Sequence, residues 1–439
     1  MNKNKIIKTS LASATLALLT QPALSQQDTD SLSSPTNNQT EQTASDYEWK
    51  FDAALLFYSE SDSRVQAFEP VFMASKQLDE DESISFKLTV DSLTGASPSG
   101  AVASNQVQTF TTPSGNADYQ VGANVYPLDD SFKDTRVALA ANWSFPLAES
   151  TQMTVGANAS NEYDYFSASV NANISHDFNN NNTTLFAGLS FASDTIDPVG
   201  GAPIALSRMQ PVGASQAKLD GTQDKDTLDI LFGMTQVIDK YSLFQLNYSY
   251  SMSDGYHNDP YKVLSVLGAD GNYFDDGIAT ANVLFENRPD KRTKHSLFGR
   301  YKRFIDGDVV DVSYRYMTDD WDIDSHTVDL KYRFALNNDS YIQPHVRYYT
   351  QTAAEFYQPY LLQAQALPTY ASADYRLAEY DAVTVGLEYG WTTQSDQTWR
   401  IALEYYAQSP TEPAKFGVLQ DQTLLPDWNA VMLRINYSF

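Results

Sequence analysis

The sequence predicts an all-β chain: a transmembrane antiparallel β-barrel of about 16 strands, with long extracellular loops and short periplasmic turns. Three observations carry that prediction. An export signal opens the chain and no later apolar run could span a bilayer as a helix; segments of about ten residues alternate in polarity; and connections are short on one side and long on the other.

The export signal comes first. Lys3, Lys5 and Lys8 precede the apolar stretch Leu11 to Leu19 and a small-residue site at Ala23-Leu24-Ser25, the pattern of a cleaved secretory signal peptide over residues 1–25. The apolar stretch is about half of the roughly 20 residues that a spanning helix needs. Cleavage after Ser25 removes three lysines and no acids, taking the formal charge from −26 to −29. Such a chain does not seek nucleic acid. Residues 26–46 are Ser, Thr, Gln and Asn with few apolar groups, a flexible periplasmic tail. Residues 47–439 are left for the barrel. The chain has no cysteine, which excludes a disulfide framework, a lipid-bearing thiol and covalently attached haem. Mean hydropathy is −0.40 although 13% of residues are aromatic, with 28 Tyr against 6 Trp. A barrel reconciles these values, because lipid-facing and lumen-facing residues cancel in the average while tyrosines gather at the interfaces.

The strands follow. The last is the clearest: Val431, Leu433, Ile435, Tyr437 and Phe439 alternate with Met432, Arg434, Asn436 and Ser438, so one face meets lipid and the other the lumen. A terminal Phe after alternating apolar residues resembles the signal that barrels show to the barrel-assembly machinery, which makes Tyr437 and Phe439 assembly-signal candidates. The same alternation recurs at Ile84, Phe86, Leu88 and Val90, at Val328, Leu330, Tyr332 and Phe334, and at Trp399, Ile401, Leu403 and Tyr405. Sixteen segments result: 49–58, 64–76, 82–92, 135–145, 151–160, 164–177, 183–193, 227–238, 241–252, 294–304, 308–318, 325–335, 340–350, 381–392, 398–408 and 430–439. Starting from a periplasmic N-terminus, short Gly, Asn, Asp or Ser turns fall on one side. The long connections 93–134, 194–226, 253–293, 351–380 and 409–429 all fall on the other.

The lumen is the most informative surface. Alternation points Arg300, Lys302, Arg315, Lys331, Arg333, His345, Arg347, Arg400 and Arg434 inward, with Asp311, Asp329, Glu388 and Glu404 among them. The first half points in small uncharged groups such as Asn142, Thr154, Ser167 and Asn171. Two readings stay open. The charges brace neighbouring strands, or they form a basic ladder that favours anions or solutes carrying both signs.

No catalytic constellation is complete. None of the five histidines lies in a nucleophile elbow or a His-x-Ser pair, and no phosphate-binding glycine loop or zinc motif is present. The run from Asp319 to His326 holds Asp319, Asp320, Asp322 and Asp324 in one short connection. It reads as a solvated acidic loop, with a divalent-cation site as the alternative. Asp220 to Asp226 and Asp270 to Asp276 could likewise hold surface cations that bridge to lipopolysaccharide, without the spacing of a calcium loop. Gly95 to Gly100 reads as a turn-rich loop.

The segments Ser85 to Gly100, Tyr256 to Lys262 and Asn287 to Arg292, with Asp319-Asp320-Trp321 and Ser325-His326, resemble a proteobacterial outer-membrane family catalogued as domain of unknown function 3570. The resemblance runs over nearly the whole mature chain. It implies the Gram-negative outer membrane as location, with no functional residues to carry over. It also implies an exported redox context, since members are often encoded beside a small lipoprotein, a thioredoxin-like protein and a flavin transferase. Three functions are therefore expected in order: a channel or porin-like transporter; a barrel that houses or docks an exported lipoprotein or redox partner; and a surface-loop hydrolase.

Overall fold

The computed structural model describes residues 48–439 apart from 112–117, 211–213, 274–281 and 364. The expected signal peptide, the whole expected tail 26–46 and part of the Asp270 to Asp276 connection lie outside the described residues.

In chain order the strands are β1 (Trp49–Glu60), β2 (Gln66–Asp79), β3 (Glu82–Pro98), β4 (Gln108–Thr111), β5 (Asp118–Val121), β6 (Leu128–Ala148) and β7 (Thr151–Asn161). Then come β8 (Tyr165–Phe178), β9 (Thr183–Ile196), β10 (Gln223–Asp239), β11 (Ser242–Gly255), β12 (Val263–Leu267), β13 (Val283–Phe285) and β14 (Lys291–Ile305). The last are β15 (Asp308–Asp319), β16 (Asp324–Ala335), β17 (Ser340–Gln351), β18 (Leu361–Leu362), β19 (Tyr380–Thr392), β20 (Thr398–Pro410) and β21 (Trp428–Ser438). Sixteen of them form one closed barrel in the order β1-β2-β3-β6-β7-β8-β9-β10-β11-β14-β15-β16-β17-β19-β20-β21, and β21 pairs antiparallel with β1. The fold class, the strand number and the short-turn side are those the sequence predicts.

Register turns sequence alternation into two surfaces. Val312, Leu330, Val346, Val385, Tyr405 and Val431 are successive cross-strand partners from β15 round to β21, and all six are exposed. A row of that kind is a liability in water but is solvated by lipid tails. It belongs to an apolar belt of the outer-membrane type.

The closure seam is aromatic. Phe439 exchanges both backbone hydrogen bonds with Phe51, at 3.0 and 2.9 Å, and the two rings stack at 5.6 Å. The stack continues through Tyr437 and Trp399 to Trp391 on one side, and from Phe51 to Trp49 and Phe86 on the other.

Strand tops run further than the sequence predicts. Gly95 to Pro98 belongs to β3 and is not a free loop, because Gly95 sits at a bulge with φ of 131° where a Cβ would lie 2.0 Å from the Arg64 carbonyl oxygen. Only glycine permits that approach.

The outer connections are not separate loops. They fold together into a roof with its own apolar core: Ala101, Phe110, Tyr119, Met209, Val263, Val283 and Phe285 form one buried cluster, and Leu264, Leu361, Ala371 and Ala373 another. Strands β12, β13 and β18 make a small sheet within it. Backbone bonds join connections from distant parts of the rim: Val263 N to Ser99 O at 2.9 Å, Met209 N to Val283 O at 3.1 Å and Asn287 N to Ala371 O at 2.9 Å. The connections that follow β3 and β11 leave the rim six strands apart in a ring of sixteen, so their contact crosses most of the mouth.

Two outcomes follow from these surfaces. Leu330→Arg or Val346→Arg should destabilise the barrel by about 2–4 kcal/mol in bilayer refolding, and tolerance of both would reverse the faces. Deleting Phe439 should cut the yield of heat-modifiable barrel several-fold, because the seam loses two backbone bonds and a stacked ring; an unchanged yield would deny it that role.

Candidate functional site

The candidate site is the inner wall from β14 to β21 together with the roof above it. One inward row reads Lys302, Asp311, Lys331, His345, Gly386 and Glu404 across six strands, each residue the direct partner of the next. Asp311 takes two hydrogen bonds from the Arg300 guanidinium, at 2.8 and 2.5 Å, and pairs with Lys302 at 3.1 Å. His345 bridges two carboxylates, Nε2 to Asp329 at 2.7 Å and Nδ1 to Glu404 at 2.9 Å. Glu404 also receives Arg434 at 2.9 Å. It reaches His345 by lying over Gly386, where a Cβ would stand 2.5 Å from the Glu404 Cγ.

Nearer the inner rim, Tyr341 donates to Glu388 at 2.7 Å while Arg333 stacks on its ring at 3.5 Å. Arg400 is 6% exposed and its Nε has no hydrogen-bond partner. Higher up, Arg315 lies over Phe298 and Arg347 stands directly opposite Asp329. The inward charges named by the sequence thus line one wall, and the ion pairs among them join strands one or two apart. They brace the wall along its circumference.

Other inward charges were not foreseen. Arg136 pairs with Asp91, whose neighbours include Glu69 and Lys87, and Lys225 pairs with Asp194 at 3.0 Å. The smooth first half is therefore smooth only over its lower strands. Lys87 and Asp91 already alternate with the lipid-facing residues of β3 in the sequence, whereas Asp194 and Lys225 lie beyond the expected ends of β9 and β10.

The acidic connection is a structured turn in which Asp320 and Asp322 stay exposed while Asp319 is buried. Asp319 is buried, pairs with Arg292 at 2.5 Å and accepts from Trp321 N and Ile323 N, both at 3.0 Å. Trp321 and Ile323 pack beneath the roof with Phe356 and Leu377. Asp320 accepts from Thr293 N, Asp322 forms the turn with φ of 62°, and Asp324 accepts from Tyr316. The carboxylates of Asp319, Asp320 and Asp324 thus turn to different partners. Among the described residues no three His, Asp or Glu groups gather as a metal site.

The roof is locked by a buried ionic cluster. Arg288 bonds Glu286 at 2.6 Å and Asp374 at 2.8 Å, Arg376 bonds Asp374 and Asp259, and Ser372 donates to Glu286 at 2.5 Å. Burial raises the Asp374 carboxyl, but Arg376, Arg288 and Lys262 outweigh it and hold the group well below the usual carboxylate range. Burial pushes the Lys262 ammonium down. These residues come from the connections after β11 and β17, so the cluster ties two parts of the roof together. Beneath it Arg64 pairs with Glu60 and lies between the rings of Tyr375 and Trp428.

A family model described as "Protein of unknown function (DUF3570)" matches residues 8–439. No curated protein matches the chain. Among solved structures, the siderophore receptor PirA from Acinetobacter baumannii is 10% identical with a TM-score of 0.40, over 83% of this chain and 53% of that one. The chain thus spans about half the length of that receptor. A "Bacterial polysaccharide outer membrane secretin" is 6% identical with a TM-score of 0.43, over 89% and 97% of the two chains. The "CymD monoaromatic hydrocarbon channel" is 8% identical with a TM-score of 0.39, over 89% and 87%.

The wall's ion pairs should differ in worth. Side-chain exposure is 13% for Arg300 and 37% for Lys302. Arg300→Met should therefore cost about 3 kcal/mol or more by leaving Asp311 under-compensated, and Lys302→Met about 1 kcal/mol or less. Urea unfolding in lipid vesicles checks this, and equal losses would contradict it.

Proposed function

We propose that this chain, which belongs to the family described as "Protein of unknown function (DUF3570)", works in the Gram-negative outer membrane as a gated channel whose outer mouth is closed by a folded roof. One observation carries the proposal: the long connections do not stand apart as they would around an open pore, but share a buried core and backbone bonds across the rim. A barrel of 16 strands is wide enough to leave an aqueous lumen, so what closes it decides its behaviour. Transport through it requires the roof to open, and the cluster of Arg288, Glu286, Asp374 and Arg376 is the natural latch.

The lumen's selectivity follows from its pairing. Arg300, Lys302, His345 and Arg434 are balanced by the carboxylates they touch. The preference for anions or for solutes carrying both signs then rests on Arg333 and Arg400, which flank Tyr341 and its Glu388 partner near the inner rim. Short turns at the inner rim favour a second reading. A chamber roofed on one side suits an exported lipoprotein or redox partner, which would co-purify stoichiometrically after mild extraction.

In planar bilayers the full chain should conduct rarely and in brief openings. Arg288→Met combined with Arg376→Met should raise open time at least tenfold, because Asp374 is left buried without its partners. Steady, large openings of the unaltered chain would overturn the gated reading.

A further inference from the structure

β11 reaches the rim with Ser253 on its inward face, sharing that face with Ser251 and Asn247, and the chain then folds back to set His257 over it. Ser253 Oγ lies 2.8 Å from His257 Nε2, and His257 Nδ1 lies 3.0 Å from the Gly255 carbonyl oxygen. A carbonyl oxygen only accepts, so Nδ1 carries the ring proton. In the neutral ring Nε2 then offers its lone pair to the serine hydroxyl. Gly255 makes the fold-back feasible: its φ is 126°, and a Cβ there would stand 2.2 Å from the Asp224 carbonyl oxygen. The edge of Trp321 packs on the imidazole at 5.6 Å.

Burial keeps this imidazole in its basic form, pushed down to about 4, with Lys225, Arg292 and Arg288 adding to the effect. Lys225, Arg292 and Arg288 are themselves paired with Asp194, Asp319 and the Glu286–Asp374 cluster. A serine hydroxyl on a neutral histidine that a third group orients is the arrangement that activates a nucleophile. No sequence motif marks it, because the two residues lie four apart across a strand end.

We propose that Ser253 and His257 form a nucleophile and base pair that hydrolyses short carboxylic esters reaching it from the lumen side of the roof. Ser253 Oγ bonds to the acyl carbon as its proton passes to His257 Nε2. The imidazolium returns that proton to the alcohol oxygen as the ester C–O bond breaks. Water then attacks the acyl-serine, giving its proton to His257, and the carboxylic acid leaves as the serine hydroxyl is restored. Ser253 is 9% exposed, which limits the substrate to small acyl groups unless the roof lifts.

The test uses the full chain in detergent micelles, with a fluorophosphonate probe and p-nitrophenyl butyrate. The probe should label Ser253, as read by peptide mass, and S253A should lose the label. H257A should slow both labelling and ester turnover by about 10²-fold or more, while Ser253→Cys should be captured by iodoacetamide. Labelling should stay level from pH 8 down to pH 5 and fall as the imidazole gains a proton near about 4. Labelling confined to the roof-loosened Arg288→Met chain would still support the pair. Absence of label from both heat-modifiable chains, or equal rates in H257A and the unaltered chain, would overturn it. Neither result bears on conductance, so the gated-channel reading stands or falls separately.

Discussion

Closure of the wall is the constraint from which the remaining structure follows. A strand in lipid has no water to satisfy its backbone, so the first and last strands must find each other. They do so in register over Asp52 to Glu60 and Ala430 to Ser438, with Phe439 extending the ladder to Phe51. Once β21 is seated on β1, every side chain on sixteen strands is assigned a side, since the pleat has a period of two. The aromatic chain from Trp391 through Phe439 to Phe86 lies across the same seam, which is where a wall held by one strand pair most needs support.

The enclosed side then sets its own terms. Charges pointing inward lie against each other and away from bulk water, where an unpaired one is costly. The wall answers with rows in which acids and bases oppose one another directly, as Asp311 opposes Lys331 and Asp329 opposes Arg347. Glycine makes room where a pair must span two strands, and Gly386 under Glu404 is the clearest case. The roof obeys the same rule. Its connections bury Glu286 and Asp374 almost completely, matched by Arg288, while the buried Lys262 ammonium donates to the Pro98 carbonyl oxygen. A roof fastened by matched charges over an apolar core closes stably, yet it can be released by disturbing a few residues.

The wall was legible in the sequence because it is periodic and local. Alternation in Ala430 to Phe439, or in Val328 to Phe334, marks strand, face and length at once. Strand tops were less legible: above the belt both faces become polar, so Asp194 and Lys225 carry no contrast with their neighbours. The roof was not legible at all. Its core joins Ala101 to Val263 and Leu264 to Leu361, pairs roughly a hundred residues or more apart in short apolar runs that look like loop residues one at a time. Asp319 misled for a related reason. Four aspartates in six residues look solvated until Arg292 and the Trp321 and Ile323 amides, held by tertiary packing, claim the first of them.

Amide hydrogen exchange of the full chain in a lipid bilayer tests the central claim, that the outer connections form one folded roof, most directly. Backbone N–H groups of Met209, Val263, Phe285 and Asn287 are bonded across connections, and the account predicts that they exchange over hours, close to the wall strands themselves. Exchange of those four amides within seconds, alongside a protected wall, would show the connections to be independent loops and would contradict the roof.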